Sequence, residues 1–136
     1  ATYDQIEKEE VLLRFACDYL VKGAKVYETV ACGVEADLHF IYVKWNPEET
    51  VIDSRVVFAP DWEGIRVEVR RFHEKWTEYP LVSRMHFHDP LDAVLQLQSH
   101  FLHVKGEEWE KTSSEVDENR KVYVIYAQPT SAGNDV

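Results

Sequence analysis

The chain is 136 residues long, and 45% of its residues are hydrophobic. This length predicts a single domain that can bury a core without disulfides or metal ions. The chain carries 25 acidic and 15 basic side chains, for a net charge of −10. That balance disfavours direct binding to nucleic acid or to an anionic membrane surface, and it permits a basic protein partner.

Cysteine usage and the lack of long apolar runs predict a cytoplasmic protein. Cys17 and Cys32 are the only cysteines, too few for a disulfide scaffold, so we expect free thiols in a reducing compartment. No apolar run approaches the roughly 20 residues that a membrane-spanning helix needs. The sequence also does not open on a basic-then-apolar stretch of the secretory type.

Residues 4–22 are predicted to form the first helix. Asp4 is placed to cap it, with Glu7 three residues later, which is the spacing of a capping box. Gly23 follows at a position where helix ends favour glycine. The apolar residues of this segment spread over a wide arc of the helical wheel, which predicts a helix pressed onto a sheet.

The stretch from Glu35 to Phe72 is predicted to form the centre of the sheet. Strands are expected at residues 35–45, 51–59 and 65–72, with proline-containing turns between them. Short turns between consecutive strands favour an antiparallel meander. The first of these strands carries apolar side chains on both faces, which is typical of a central strand covered on both sides.

The remaining segments complete an α+β domain. They are a strand at 24–31 with a turn at Cys32 and Gly33, a strand at 81–87, a helix from Asp89 and Pro90 to Gly106, an exposed loop at 107–120 and a strand at 121–127. The order α-β-β-β-β-β-α-β favours an N-terminal helix packed on a mainly antiparallel, curved sheet. We expect one domain over residues 1–127 and a flexible C-terminal tail at 128–136.

Three tryptophans are candidate binding residues because each falls in a predicted turn or loop beside acids. The set is Trp62 with Asp61 and Glu63, Trp76 with Glu74 and Glu78, and Trp109 with Glu108 and Glu110. Large rigid rings in loops often anchor a partner, and nearby acids would steer a basic one toward them. The alternative is that each ring folds back over an edge of the core.

Histidines are the second candidate. His86 and His88 project from one face of a predicted strand, and His100 and His103 are one turn apart on the predicted second helix. Four such side chains could bind zinc only if the strand and the helix converge. This reading predicts a metal- or histidine-dependent enzyme, although the sequence contains no complete catalytic motif.

The leading functional expectation is a non-enzymatic, acidic protein-binding domain of the inhibitor, immunity or chaperone type, without a cofactor. Self-association as a homodimer, through an exposed strand edge or sheet face, is compatible with it. The other alternative is a carrier of a small apolar ligand in a cavity between sheet and helix, lined by Phe40, Tyr42, Phe58 and Val67.

Overall fold

The computed structural model describes residues 2–3, 6–51, 59 and 61–130. The chain is an α+β domain, as its sequence predicts. In chain order its elements are α1 (Lys8–Phe15), β1 (Tyr19–Lys22), β2 (Lys25–Glu35), β3 (Leu38–Thr50), β4 (Ile65–Arg71), β5 (Leu81–Phe87), α2 (Pro90–Gln98), β6 (Phe101–Val104), β7 (Glu107–Asp117) and β8 (Val122–Pro129).

The described strands form one open sheet in the order β3-β2-β1-β7-β8-β4-β5, with β6 paired to part of β7. Most neighbours are antiparallel, but β1 with β7 and β4 with β8 are parallel. The predicted meander is therefore wrong, because β3 ends one side of the sheet while β4 lies near the other. Strand pairing depends on the whole chain, and turn signals report only local reversals.

Both helices cover the same face of the sheet. Leu13 of α1 and Leu97 of α2 are buried against Val67, Tyr123 and Ile125 in the main core. α2 contacts β4 and β5 as well as α1. This packing confirms the prediction that the first helix covers the sheet, although α1 shares that role with α2.

The first helix is much shorter than predicted. It spans Lys8–Phe15, and the segment Tyr19–Lys22 is strand β1, paired with both β2 and β7. Gly23 (φ +62°) lies in the turn from β1 to β2 instead of ending a helix. Tyr, Leu and Val suit a strand as well as a helix, and pairing with β7 decides between the two. Asp4 lies outside the described residues.

The second and third strands are longer than predicted. β2 continues through Cys32 and Gly33, so the turn predicted there is wrong, and the reversal comes at Ala36 and Asp37. β3 runs through the predicted turn at residues 46–49, which bulges out of the ladder. Most of the strand predicted at residues 51–59 lies outside the described residues.

The C-terminal third mixes confirmed and wrong predictions. Strand β5 has the predicted bounds, and Asp89 caps α2 by accepting a hydrogen bond from the backbone N–H of Leu91. α2 ends at Gln98, well before Gly106, and the stretch predicted as an exposed loop is strand β7. β8 continues to Pro129, so the first two residues of the predicted tail belong to the sheet.

Among the described residues, neither helix is long and apolar enough to cross a lipid bilayer.

Candidate protein-binding surface

A two-stranded arm projects from the sheet beyond β1. β1 pairs with β2 only from Lys25 to Glu28, and the backbone N–H of Thr29 donates a last bond to the carbonyl of Asp18. From that point β2 and β3 pair with each other up to their turn. Residues 30–43 are called the arm below.

The two faces of the arm follow from its register. Phe40 lies opposite Gly33 and Tyr42 opposite Ala31, and alternation along β3 adds Leu38 to the same side. These five residues are called the aromatic face. The rings of Phe40 and Tyr42 stack, with their centroids 6.2 Å apart. The aliphatic face, on the other side, consists of Cys32, Val34, His39, Ile41 and Val43.

Large apolar side chains are exposed on both faces of the arm. Their exposed fractions are 65% for Val30, 64% for Val34, 62% for Leu38, 58% for Tyr42 and 41% for Val43. A two-stranded hairpin without a third strand or a covering layer is marginally stable in water. A long apolar ribbon of this kind is typical of a surface that binds another protein.

The charges of the arm are acidic. Between Lys25 and Lys44 the sequence contains Glu28, Glu35 and Asp37 and no lysine or arginine. Glu35 and Asp37 are exposed at the tip, and Glu28 lies opposite Lys44 at the base. The tip of the arm is therefore acidic, whereas its base carries both signs of charge.

Trp62, one of the three predicted anchors, folds back onto the core. Its ring is half-buried, packs against Tyr123 with centroids 5.3 Å apart, and has the guanidinium of Arg14 at 5.4 Å from its centroid. Its neighbours Asp61 and Glu63 are exposed.

The other two tryptophans predicted as anchors, Trp76 and Trp109, both lie near Arg71. The guanidinium carbon of Arg71 lies 5.9 Å from the ring centroid of Trp76 and 6.0 Å from that of Trp109. Trp109 is buried in the main core, whereas Trp76 is exposed and stacks on His73. Each of these rings already has a cation of this chain near it, so a basic partner gains little from them. Their role in binding stays a prediction.

The predicted acids beside Trp109 lie on a strand and not in a loop. Glu108 and Glu110 are exposed on β7, opposite His103 and Phe101 of β6. Alternation along β7 separates them from the buried ring of Trp109. They could attract a basic partner, but they do not surround an exposed aromatic anchor.

The histidines lie on separate, exposed parts of the surface. His86 is on β5, with Nε2 3.4 Å from the carbonyl oxygen of Glu63, and His88 follows the end of that strand. α2 ends at Gln98, so neither His100 nor His103 lies on a helix. His103 is on β6, and His100 directly precedes that strand. Within the described residues, no three His, Cys, Asp or Glu side chains are grouped to hold a metal ion. The zinc hypothesis gains no support.

A charged cluster lies on the face of the sheet opposite the helices. Glu68 accepts two hydrogen bonds of 2.9 Å from Arg120, and Arg120 also donates to Asp117 at 2.9 Å. Burial by itself raises the pKa of Glu68, but Arg120 and Arg70 outweigh it and hold that pKa below its ordinary value. Burial by itself lowers the pKa of Arg120, but Glu68 and Asp117 outweigh it and hold that pKa above its ordinary value. Mutual pairing of this kind favours a structural role over a catalytic one.

The residues proposed to line a carrier cavity do not lie together. Phe40 and Tyr42 are on the arm, and Val67 is fully buried in the main core. Phe58 lies outside the described residues.

Comparison with known proteins gives no relative for this chain. No family model matches it, no curated protein matches it, and no solved structure matches it. Inference about its function depends on its own surface.

Sequence reading missed the arm, although one signal was present. Apolar residues on both faces of residues 35–45 favoured a central, doubly covered strand, but β3 ends the described sheet and its apolar side chains are exposed. The alternation correctly indicated a strand with apolar side chains on both faces, but it did not show whether those faces are covered. Trp45, half exposed with Lys25 Nζ 4.9 Å from its ring centroid, was missed as well.

Proposed function

We propose that this chain is a non-enzymatic protein-binding domain, of the inhibitor, immunity or chaperone type, and that the arm is its binding surface. The observation that carries the proposal is the exposure of large apolar side chains on both faces of a projecting hairpin. An enzyme or a carrier would not need such a ribbon, and removal of its apolar surface from water would favour a complex, offset in part by the entropy lost on association.

The partner is a basic protein. The arm carries Glu35 and Asp37, Glu28 lies at its base, no arginine or lysine occurs between Lys25 and Lys44, and the whole chain has a net charge of −10. Opposite charges at the acidic tip would speed association with a basic partner, while the apolar centre supplies most of the affinity. A cytoplasmic location belongs to the same proposal, since Cys17 and Cys32 are free thiols.

Site-specific photo-cross-linking in living cells tests this proposal. A benzophenone amino acid replaces Tyr42, on the aromatic face, and in a matched control it replaces Leu95, which is similarly exposed on α2. We expect an adduct with a basic protein from position 42 and none from position 95.

The captured protein is then purified and titrated with the wild-type chain and with Phe40→Ser. We expect affinity that falls steeply with added salt, because exposed charges are screened, and binding that is lost with Phe40→Ser. Equal adducts from both positions, or binding that neither salt nor Phe40→Ser changes, would refute the proposal.

A further inference from the structure

Among the strands that the structure describes, none pairs with the outer edge of β3 along the arm. Within the described residues β3 pairs with β2 and ends the sheet order. Glu35 and Leu38 pair directly across a two-residue turn, and in an antiparallel ladder successive residues direct their N–H and C=O groups inward and outward in turn. His39, Ile41 and Val43 therefore present theirs at the open edge, where another strand can pair.

We propose that this edge pairs antiparallel with the same edge of a second copy of the chain, around a two-fold axis at Ile41. The inference deepens the proposed function, because it rests on the arm being a binding surface and names one partner of it. The second copy pairs with the edge of β3, and the basic partner binds the faces of the arm. The homodimer and the complex with the basic partner can therefore form together or separately.

Side chains of the two copies fit each other in this register. A two-fold axis perpendicular to the ribbon keeps the aromatic faces of both copies on one side, so Phe40 of each copy lies opposite Tyr42 of the other. On the aliphatic face Ile41 meets its own copy, and His39 meets Val43. Directly opposed aromatic and β-branched pairs stabilise a ladder. Residues 38–43 contain no Asp, Glu, Lys or Arg, so no charge is buried at the contact.

The charges of the arm favour antiparallel self-pairing. Acids lie at the tip (Glu35 and Asp37) and lysines at the base (Lys25 and Lys44). In the proposed register Leu38, which is opposite Glu35 in its own hairpin, lies opposite Lys44 of the second copy. Lys44 of the second copy therefore approaches Glu35 of the first. Glu28 lies directly opposite Lys44 in the same hairpin, so Lys44 has an acid near it from each copy.

The second tip acid meets the second lysine. Asp37 lies opposite Trp45 of the second copy, where Lys25 Nζ is 4.9 Å from the centroid of the Trp45 ring. An axis at Phe40 would instead place Asp37 opposite the apolar Val43, and parallel pairing would bring acid onto acid. The arrangement turns two marginal hairpins into a four-stranded ribbon.

The first test is sedimentation of the purified full-length chain over a wide range of concentration. We expect wild type to be a dimer and Ile41→Asp to be a monomer at the same concentration, because two aspartates would oppose each other at the axis. Leu95→Asp, which introduces the same charge at an exposed leucine on α2, stays dimeric. A monomeric wild type, or a folded Ile41→Asp dimer, overturns the inference.

Disulfide cross-linking tests the register even if Ile41→Asp fails to fold. In a Cys32→Ser background, Ile41→Cys is expected to form a cross-linked dimer on mild oxidation. Leu38→Cys is not, because the two copies of residue 38 lie about 20 Å apart, six residues along a strand. Cross-linking at residue 38, or at neither position, overturns the inference. The proposed function survives that result if a basic protein still cross-links at residue 42.

Discussion

Replacement of Glu68 should destabilise the fold strongly. Its carboxylate is buried and accepts two bonds from Arg120 and one of 3.1 Å from Arg70. Glu68→Gln keeps the shape but removes the charge and directs amide N–H groups at guanidinium donors. Breaking one side of a buried ion pair costs about 3–5 kcal/mol. Asp117 still holds Arg120, so we expect the lower end, about 3 kcal/mol.

This loss converts into a shift of the unfolding midpoint. With an unfolding entropy of about 2.1 cal/mol/K per residue, the chain has about 0.29 kcal/mol/K in total, and 3 kcal/mol lowers Tm by about 10 °C. Thermal unfolding followed by circular dichroism measures the shift. Glu107→Gln, a change at an exposed glutamate of β7, is the matched control and should leave Tm within about 2 °C of wild type.

The difference between wild type and Glu68→Gln depends on pH with a definite sign. Burial raises the pKa of Glu68, but Arg120 and Arg70 lower it further, so the folded pKa lies below the ordinary value near 4.5. Stabilisation by the charged form is therefore complete above about pH 4.5 and is lost as pH falls through the folded pKa. A Tm difference under about 3 °C at pH 7, or one that stays constant as pH falls, would refute the reasoning.

Three further predictions concern the core, a turn and a thiol. Leu97→Ala, at a fully buried position, should lower the free energy of unfolding by about 3 kcal/mol in urea titrations; a loss below about 1 kcal/mol would contradict the assigned core. Asn119→Ala should cost about 2 kcal/mol, because the side-chain amide of Asn119 exchanges hydrogen bonds of 2.8 and 2.7 Å with the backbone of Gly23; Asn119→Asp should not be milder, because it buries a charge and places an acceptor against the carbonyl oxygen of Gly23. Cys17 should resist iodoacetamide in the folded chain while Cys32 reacts, since burial raises the pKa of the Cys17 thiol; equal labelling by mass spectrometry would contradict this.

Elements specified by local chemistry could be predicted. β5 has the predicted bounds because a short strand-like segment lies between breaks at Pro80 and Asp89-Pro90. The start of α2 follows from Asp89 as a cap and Pro90 in the first turn. Its end did not follow, because Phe101–Val104 continues an apolar pattern that suits either a helix or a strand, and pairing with β7 makes it a strand.

Strand β7 was predicted as a loop because it contains many charged side chains. Its sequence is rich in Glu and other polar residues, which is typical of an exposed loop, yet Ser114, Glu115 and Asp117 are buried in the sheet. Asp117 is stabilised there by hydrogen bonds from the backbone N–H groups of Asn119 and Arg120 and by the side chain of Arg120. A single sequence does not show these partners, so a buried carboxylate looks like a solvated one.

The sequence by itself determined the fold class, the acidic balance of the surface and the presence of apolar side chains on both faces of β3. Tertiary structure decided which strands pair, that Trp62 and Trp109 pack inward, and that the arm extends past β1 with its apolar faces exposed. The physical reason is that alternation fixes which side chains share a face. Whether that face is covered depends on strand pairing between residues far apart in the chain.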